Sequence, residues 1–404
     1  MPEPTRHRIP PGVFAALSHG GGGAEAVRLL AAAQYSKTLL LLRALDADRG
    51  GVLASAHRRS PEAVDAVLRH PAVGARLLHV MRRGDRQALA PVGAAAALRA
   101  GLRAEVETAV TGSALSLPSL GRASLPGATR AVVSAADRTI TPDTGPAVRI
   151  GGPGWTPLRT LDVPGLTVSV EDLDPFRFPG DLPLAARLSP ADHGRWRRRF
   201  ADAWTLLARE HPAAAAETAA GLRSVVPLET GSGVQVAATS GESFGALALS
   251  LPGDPLTFAL TFVHETQHLK LCALIDLLPL IDADDGALYH APWRPDPRPL
   301  SGLLQGAYAF LAVTGFWARH LAAVPEAAHQ FARWRLAVAR TLEVITGSGS
   351  LTGHGLRFVD GMRFSLAPLL AVPVARAVEG RAVEELDAHR EAVSGRTGGS
   401  SGGE

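Results

Sequence analysis

Apolar residues recur at helical spacing through the first 90 residues of this 404-residue chain. The segments AEAVRLLAAAQYSKTLLLLRAL and PEAVDAVLRHPAVGARLLHVM both place apolar side chains at positions i, i+3, i+4 and i+7. Ser60 precedes Pro61, and a serine cap followed by proline at the first helical position is a frequent helix start. The pattern therefore predicts a helical N-terminal region over residues 1–90.

The pattern changes over residues 91–182. After an alanine-rich helix, short runs such as ALSLPSL, TRAVVSA and LTVSVEDL are separated by glycine and proline, which is typical of strands joined by turns. This region is expected to form a small antiparallel β layer. Helical patterns return over residues 183–395, and the low-complexity tail 396–404 is expected to be disordered. We therefore expect an α+β fold that is mainly α.

One helical segment, LTFALTFVHETQHLKLCALIDLL, carries an H-E-x-x-H motif. Residues four apart share a face of a helix, so His264 and His268 point the same way and can hold one divalent metal. Glu265 lies beside them as a candidate catalytic group for proton transfer. The alternative is a helix that contains two hydrogen-bonded histidines and a buried glutamate. Three such groups in an apolar helix are costly unless something pairs them, which favours a metal site in a zincin-like helical core over residues 183–395.

Two histidines do not complete a metal site, because catalytic zinc has three protein ligands and non-heme iron oxygenases use two histidines and a carboxylate. The metzincin position for a third histidine is Leu274, and no downstream glutamate is followed by Asp four residues later, so the usual peptidase ligand is missing. The remaining candidates for the third ligand are His290, Gln305 and Asp276, with Asp276 also a candidate hydrogen-bond acceptor for an imidazole.

The loop APWRPDPRP, residues 291–299, is the second distinctive feature. Its alternating prolines predict a stiff extended backbone that presents Arg294, Asp296 and Arg298. A guanidinium binds a carboxylate in a bidentate manner, so Arg294 and Arg298 are candidates for clamping an acidic substrate or cosubstrate. An Arg–Asp–Arg network that only holds the loop in place is an equally good interpretation.

Composition narrows the classes of partner. The chain has 41 Lys and Arg against 38 Asp and Glu, for a net charge of +3, and no basic cluster interleaved with aromatic residues. Nucleic-acid binding is therefore not expected. Cys272 is the only cysteine, which excludes disulfides within the chain, and no signal peptide or membrane-spanning run is recognised. We expect a cytoplasmic protein that binds no membrane.

The segments HETQHLKLCALIDLLPL and YHAPWRPDPRPLSGLLQGAYAFLAVTGFW together resemble the HExxH peptide-modification proteins of bacterial ribosomal-peptide (RiPP) gene clusters. This domain occurs alone or fused behind radical-SAM maturases that form cyclophanes. The resemblance extends to VEDLDPFR upstream and GSLTGHGLRFVDGMR downstream, so it covers most of the chain. This sequence differs at Thr266, where a bulkier apolar residue is common, and at His354, where the family is less polar.

The resemblance implies an activity that the motif alone does not. Members of that family are understood to be Fe(II)- and 2-oxoglutarate-dependent peptide β-hydroxylases. His264 and His268 would then bind iron, Arg294 or Arg298 would hold the 2-oxoglutarate carboxylate, and the partners would be a ribosomal precursor peptide and a radical-SAM maturase.

Two other functions remain open at this point. In a zinc metallopeptidase, His264 and His268 would bind zinc and Glu265 would activate water. In a non-catalytic peptide-binding scaffold, the helix would be kept for structure alone.

Overall fold

The computed structural model describes residues 2–48, 51–229, 235–282 and 286–398, with side chains as far as residue 394. The chain is 54% helical and 15% strand, so the fold is α+β and mainly α, as the sequence predicts. The tail beyond Gly398 lies outside the described residues.

The described residues form thirteen α-helices, a 3-10 turn at Arg86–Leu89 and fourteen short strands. The helices are α1 (Pro11–Ser18), α2 (Gly23–Ala44), α3 (Val52–Arg59), α4 (Pro61–Leu68), α5 (Pro71–Arg83), α6 (Ala90–Ala100), α7 (Pro190–Glu210), α8 (Pro212–Gly221), α9 (Pro255–Ile275), α10 (Leu300–His320), α11 (Ala327–Gly347), α12 (Gly353–Leu370) and α13 (Arg376–Gly398). The strands are β1 (Glu105–Ala109), β2 (Ala114–Leu117), β3 (Gly121–Ser124), β4 (Arg130–Ser134), β5 (Thr139–Pro142), β6 (Val148–Arg149), β7 (Trp155–Pro157), β8 (Arg159–Val163), β9 (Leu166–Val170), β10 (Ser224–Pro227), β11 (Ala237–Ala238), β12 (Ala246–Leu249), β13 (Leu288–Tyr289) and β14 (Arg298–Pro299).

The chain divides into two compact units, each built from separate stretches of sequence. The first unit contains residues 1–7, 29–205 and 221–255, and the second contains residues 8–28, 206–220 and 256–404. The regions expected from the sequence follow one another along the chain instead. Hydrophobic pattern reports local structure, whereas compact units depend on contacts between distant segments.

The first unit contains the N-terminal helices and the β layer. α3 and α4 both pack on α6, and their apolar faces share one core with the sheets β1-β4-β5-β6 and β2-β3-β7, which are wholly antiparallel. The predicted helix start at Ser60 is confirmed, because the Ser60 hydroxyl accepts a hydrogen bond from the Ala63 amide at 3.3 Å and Pro61 occupies the first helical position.

A third sheet, ordered β11-β12-β10-β9-β8, extends the β layer beyond residue 182. β10 runs parallel to both β9 and β12, so this sheet is mixed. Parallel neighbours need a long crossover connection, and the chain between β9 and β10 supplies one because it includes α7 and α8.

Buried charges connect α5 to the VEDLDPFR segment that follows β9. Arg76 donates two hydrogen bonds to the Asp174 carboxylate, at 2.8 and 3.0 Å, and one to the Ala88 carbonyl at 3.1 Å. His70 Nε2 lies 3.2 Å from a Glu171 oxygen. All four side chains are buried, and the Arg76–Asp174 hydrogen bonds replace water that these two charged groups would otherwise bind.

In the second unit, α11 packs on α10, α12 and α13, and α1 packs on α12. β13 and β14 pair as an antiparallel hairpin with Tyr289 opposite Arg298. Residues 291–297 of the proline-rich segment therefore lie in the loop of this hairpin, and Arg298 and Pro299 form β14.

α10 is the one helix among the described residues that is long and apolar enough to cross a membrane. Of its most apolar window, 67% is buried inside the structure, which is what a core helix of a soluble protein also shows. This observation is weak evidence for membrane insertion.

Candidate metal centre

The motif helix α9 is buried on almost every side, with one narrow exception. Between Phe258 and Leu274, the residues that remain partly accessible are Leu260, His264, His268 and Cys272. These four are spaced four residues apart, so they form a single stripe along the helix. Both motif histidines therefore lie on the one accessible face of α9, while Glu265, Thr266 and Gln267 are buried.

The two imidazoles are close neighbours. Their ring centroids are 4.7 Å apart and the ring planes meet at 73°. The i, i+4 spacing allows one metal to bind both rings, because successive helical turns bring the two side chains over the same point of the surface.

A hydrogen-bond partner lies beside the Nδ1 atom of each histidine. His264 Nδ1 lies 3.1 Å from Glu265 Oε1, and His268 Nδ1 lies 3.2 Å from Gln305 Oε1. An acceptor at Nδ1 fixes the proton there and leaves the lone pair on Nε2, which is the form of histidine that binds a metal. Glu265 and Gln305 therefore orient the two rings in the structure.

Gln305 is itself held in place. Its Nε2 atom donates to the Cys272 sulfur at 3.4 Å, so the amide is oriented with its oxygen toward His268. Burial lowers the pKa of His268, and the charge of His264 lowers it further, which favours the neutral imidazole that a metal requires.

An aromatic cluster lies beside His264, and one of its rings contacts the imidazole. The Phe310 ring meets His264 edge-on, with centroids 5.2 Å apart. Trp293 stacks on Phe310 at 5.0 Å, and Trp334 lies 4.2 Å from the same ring. Gly306 makes room for this arrangement, because a Cβ there would lie 2.2 Å from ring carbons of Trp293. One side of the His264 ring therefore faces an aromatic cluster.

Lys270, two residues after His268, anchors the buried side of the motif helix. Its side chain is 0% exposed, and its ammonium donates to Glu217 at 2.6 Å and to the Gly20 and Gly21 carbonyls at 2.9 and 3.0 Å. The other Glu217 oxygen accepts from the Gly23 amide at 2.8 Å. The glycine run at residues 20–23 thus supplies carbonyl acceptors for a buried cation.

The candidates for a third ligand lie in different settings. Gln305 contacts His268, as described above. His290 bonds to His389 at 2.9 Å, and Asp276 is an exposed residue directly after the end of α9. Within the part of the chain that the structure describes, no group of three or more His, Cys, Asp or Glu side chains could hold a metal. The third ligand stays unassigned.

The two candidate carboxylate-binding arginines share one acid. Arg294 Nε lies 3.1 Å from one oxygen of Asp296, and Arg298 lies 3.2 Å from the other. The structure therefore contains the Arg–Asp–Arg network that the sequence allowed as an alternative to a clamp. All three side chains are between 38% and 46% exposed, so both guanidinium groups can still reach a ligand in solvent.

Sequence reasoning overlooked Cys272 and Phe310. Cys272 lies on the accessible stripe and contacts Gln305. Its position four residues after His268 was the available signal. Phe310 gave no local signal, because only tertiary packing brings α10 to His264.

The comparisons with known proteins do not assign the chain to a family. A scan against protein-family models finds no match, and a search of curated proteins finds no significant match. The resemblance to the HExxH peptide-modification family therefore depends on the quoted sequence segments.

Proposed function

We propose that this protein is an iron(II)- and 2-oxoglutarate-dependent oxygenase that hydroxylates the β-carbon of a residue in a ribosomally synthesised precursor peptide. The observation that carries the proposal is the accessible stripe of α9, on which His264 and His268 lie together with each Nδ1 atom next to an oxygen acceptor. The family resemblance supplies the reaction class.

The residues present provide two of the ligands that one divalent metal would need. His264 and His268 would hold it through Nε2, with Glu265 and Gln305 supporting the rings. When bound, iron(II) would supply O₂ activation, so that 2-oxoglutarate, O₂ and a peptide C–H group yield succinate, CO₂ and a peptide C–OH group. The aromatic rings around His264 would exclude water from the reacting groups.

The position of Glu265 bears on the choice between this oxygenase and a zinc peptidase. A peptidase needs this carboxylate to take a proton from water. Here Glu265 is buried, with a side chain that is 4% exposed and one oxygen next to His264 Nδ1. In this position Glu265 orients His264. An oxygenase can use this role, but the role does not by itself provide the base that a peptidase needs.

The cosubstrate carboxylate would bind to Arg294 of the hairpin loop or to Arg298 of β14. Because Asp296 already contacts both arginines, an incoming carboxylate would have to compete with it. The precursor peptide is the proposed partner, with a radical-SAM maturase as a second one, and the proposed location is the cytoplasm.

The first experiment measures succinate. Metal-free protein is supplied with Fe(II), 2-oxoglutarate and ascorbate in air, with and without a candidate precursor peptide, and the peptide is analysed by mass spectrometry. We expect iron-dependent succinate and a peptide that gains one oxygen atom. His264→Ala should abolish both, whereas His329→Ala on α11, a histidine of the same unit that bonds to Glu385, should retain them.

Peptide cleavage that is restored by zinc and lost in Glu265→Gln, without succinate, would contradict the oxygenase and establish a peptidase. Partner binding that survives loss of both histidines, with neither succinate nor cleavage, would establish a scaffold.

A further inference from the structure

The first unit contains a pocket that the proposed metal chemistry does not use. Its cavity volume is about 50 Å³, and it is bounded by α2, the start of α5 and the segment 241–244. Its apolar wall is formed by Tyr35, Leu41, Leu68, Leu78 and Phe244.

Positive charge dominates the polar part of this pocket. Lys37, Arg69 and Arg223 line it, together with His70. Among the lining residues that the structure describes, Glu242 is the one acid, and Arg82 binds its carboxylate through two hydrogen bonds of 2.7 and 2.9 Å. The charge of Glu242 is thus balanced by an arginine that is not part of the pocket wall.

Arg69 is held in a defined position. Its guanidinium lies 4.0 Å from the centroid of the Tyr35 ring and 3.5 Å from an Asp65 oxygen, and Tyr35 donates its hydroxyl hydrogen bond to the same Asp65 side chain. A cation fixed in this way loses little side-chain entropy when it binds an anion.

The positive charge of Arg69 acts on the Arg223 guanidinium. Burial lowers the pKa of the Arg223 guanidinium, and the nearby Arg69 lowers it further. Two like charges on one pocket repel each other, and an anion bound between them would relieve that repulsion.

The N-terminus of α5 adds to the positive potential. His70 and Pro71, at the start of this 13-residue helix, both line the pocket, and the first turn contains no acidic residue. The His70 side chain does not cap the helix, because it pairs with Glu171. An uncapped helix N-terminus favours an anion next to it.

Gly74 lets the segment 241–242 approach this helix closely. A Cβ at Gly74 would lie 2.8 Å from the Glu242 carbonyl oxygen, which is too short for a side chain to be accepted. The pocket shape therefore depends on a glycine in the first turns of α5.

We propose that this pocket binds the carboxylate of an acidic side chain in a peptide. The anionic part of the proposal follows from the pocket itself: three cations and a helix N-terminus surround a cavity whose apolar wall suits the aliphatic part of Asp or Glu. The peptide part rests on the proposed function, in which the substrate is a precursor peptide. The pocket is a binding site separate from the residues that would hold the metal.

Binding to full-length, metal-free protein tests this proposal independently of the oxygenase reaction. The probe is a fluorescein-labelled peptide of repeated Gly-Ser-Glu units, compared by fluorescence anisotropy with its Gly-Ser-Gln counterpart. We expect the Glu peptide to bind at least about tenfold more tightly, and its affinity to fall as salt is added. Arg223→Gln should weaken it about fivefold or more, and Lys37→Gln should weaken it by a smaller factor.

The matched control is Arg197→Gln, which removes an exposed arginine of α7 that does not line the pocket. It should leave binding of the Glu peptide unchanged. Circular dichroism verifies that Arg223→Gln is folded, and Lys37→Gln provides the same test if Arg223→Gln is not.

Equal binding of the two peptides, or Glu-peptide binding that neither substitution affects, would overturn the proposal. Binding of inorganic phosphate that is lost in Arg223→Gln, without binding of the Glu peptide, would also overturn it by showing a site for a small free anion. Because no metal or 2-oxoglutarate is present, failure here is distinct from absence of succinate in the oxygenase assay.

Discussion

Lys270 in the second unit and Arg76 in the first are two buried cations whose charges are stabilised by the same kinds of partner. Each is almost inaccessible to solvent, each pairs with a buried carboxylate, and each also donates to backbone carbonyl oxygens. In both cases the cation joins segments far apart in sequence, because Lys270 is 53 residues from Glu217 and Arg76 is 98 residues from Asp174.

The difference lies in what each cation holds. Lys270 follows the proposed ligand His268 by two residues, so its bonds to Glu217 and the glycine run bear directly on the helix that presents the metal site. Arg76 connects α5 to the segment after β9 and packs over the Phe176 ring at 4.4 Å. The comparison teaches that a buried ion pair can support a site or only a fold, and that its geometry alone does not distinguish the two.

Lys270→Met should have the largest effect on the molecule. It leaves the Glu217 carboxylate buried with the Gly23 amide and removes the donor from two glycine carbonyls. We expect a loss of about 4–5 kcal/mol in the free energy of unfolding, and weaker metal binding in the protein that remains folded. Urea denaturation and metal titration measure the two quantities.

The control is the double variant Lys270→Met with Glu217→Leu, which replaces the ion pair with apolar groups. It should recover part of the lost stability, because replacement of a buried pair is much less costly than removal of one partner. No recovery would show that the glycine carbonyls, rather than the carboxylate, determine the cost.

Arg76→Met should destabilise the protein by about 3 kcal/mol. Arg76 donates to one backbone carbonyl, whereas Lys270 donates to two, so fewer acceptors lose their donor and the loss is somewhat smaller than for Lys270. Metal binding to the folded fraction should equal that of the wild type, which is the result that separates the two cations. Reduced metal affinity in Arg76→Met would mean that the first unit influences the metal site.

Gly306→Ala should displace Trp293 from its position over α10. The added Cβ would overlap the indole ring, and overpacking of this kind costs roughly 1–3 kcal/mol. Because Trp293 stacks on Phe310 and Phe310 contacts His264, activity should fall more than stability does. Gly315→Ala in the same helix, where no atom lies within 4 Å of the new Cβ, is the matched control and should be close to neutral.

Gln305→Leu should weaken metal binding about 10–100-fold while leaving the fold intact. The substitution removes the acceptor for His268 Nδ1 and so frees the ring to rotate and change tautomer. Gln305→Glu restores an acceptor oxygen and should recover most of the affinity. If both variants bind metal as the wild type does, Gln305 does not position His268.

Local features of this chain could be predicted from the sequence, and non-local ones could not. The H-E-x-x-H helix and the Ser60 cap are set by residues within one or two turns, and the structure contains both. The parallel pairing of β10 with β9 depends on a connection of more than fifty residues, for which an alternating pattern carries no information.

The candidate site likewise has local features that the sequence predicts and non-local features that it does not. The spacing of His264 and His268 predicts a shared face, but only tertiary packing shows that this face is the accessible one. A lysine in an apolar helix indicates that a partner must exist, yet nothing in the sequence identifies Glu217 among the acids of the chain.

The smallest expected effect is a dependence of stability on pH at His211, which contrasts a partly buried histidine with the almost fully buried cations Lys270 and Arg76. His211 Nε2 lies 3.0 Å from His320 Nε2, and its ring stacks on Phe316 at 4.4 Å. Burial, together with the charge of His320, lowers the pKa of His211 to about 4. The unfolded chain, with an ordinary histidine pKa of about 6.5, binds more protons between these two values, so stability falls as the pH is lowered from about 6.5 toward 4. His211 is only partly buried, so solvent screening reduces the expected loss to about 1–2 kcal/mol. Urea denaturation of the wild type and of His211→Gln across this pH range measures the effect. If His211 is its source, the free energy of unfolding should fall more steeply with decreasing pH in the wild type than in the variant. Above pH 6.5 the two proteins should show the same dependence on pH.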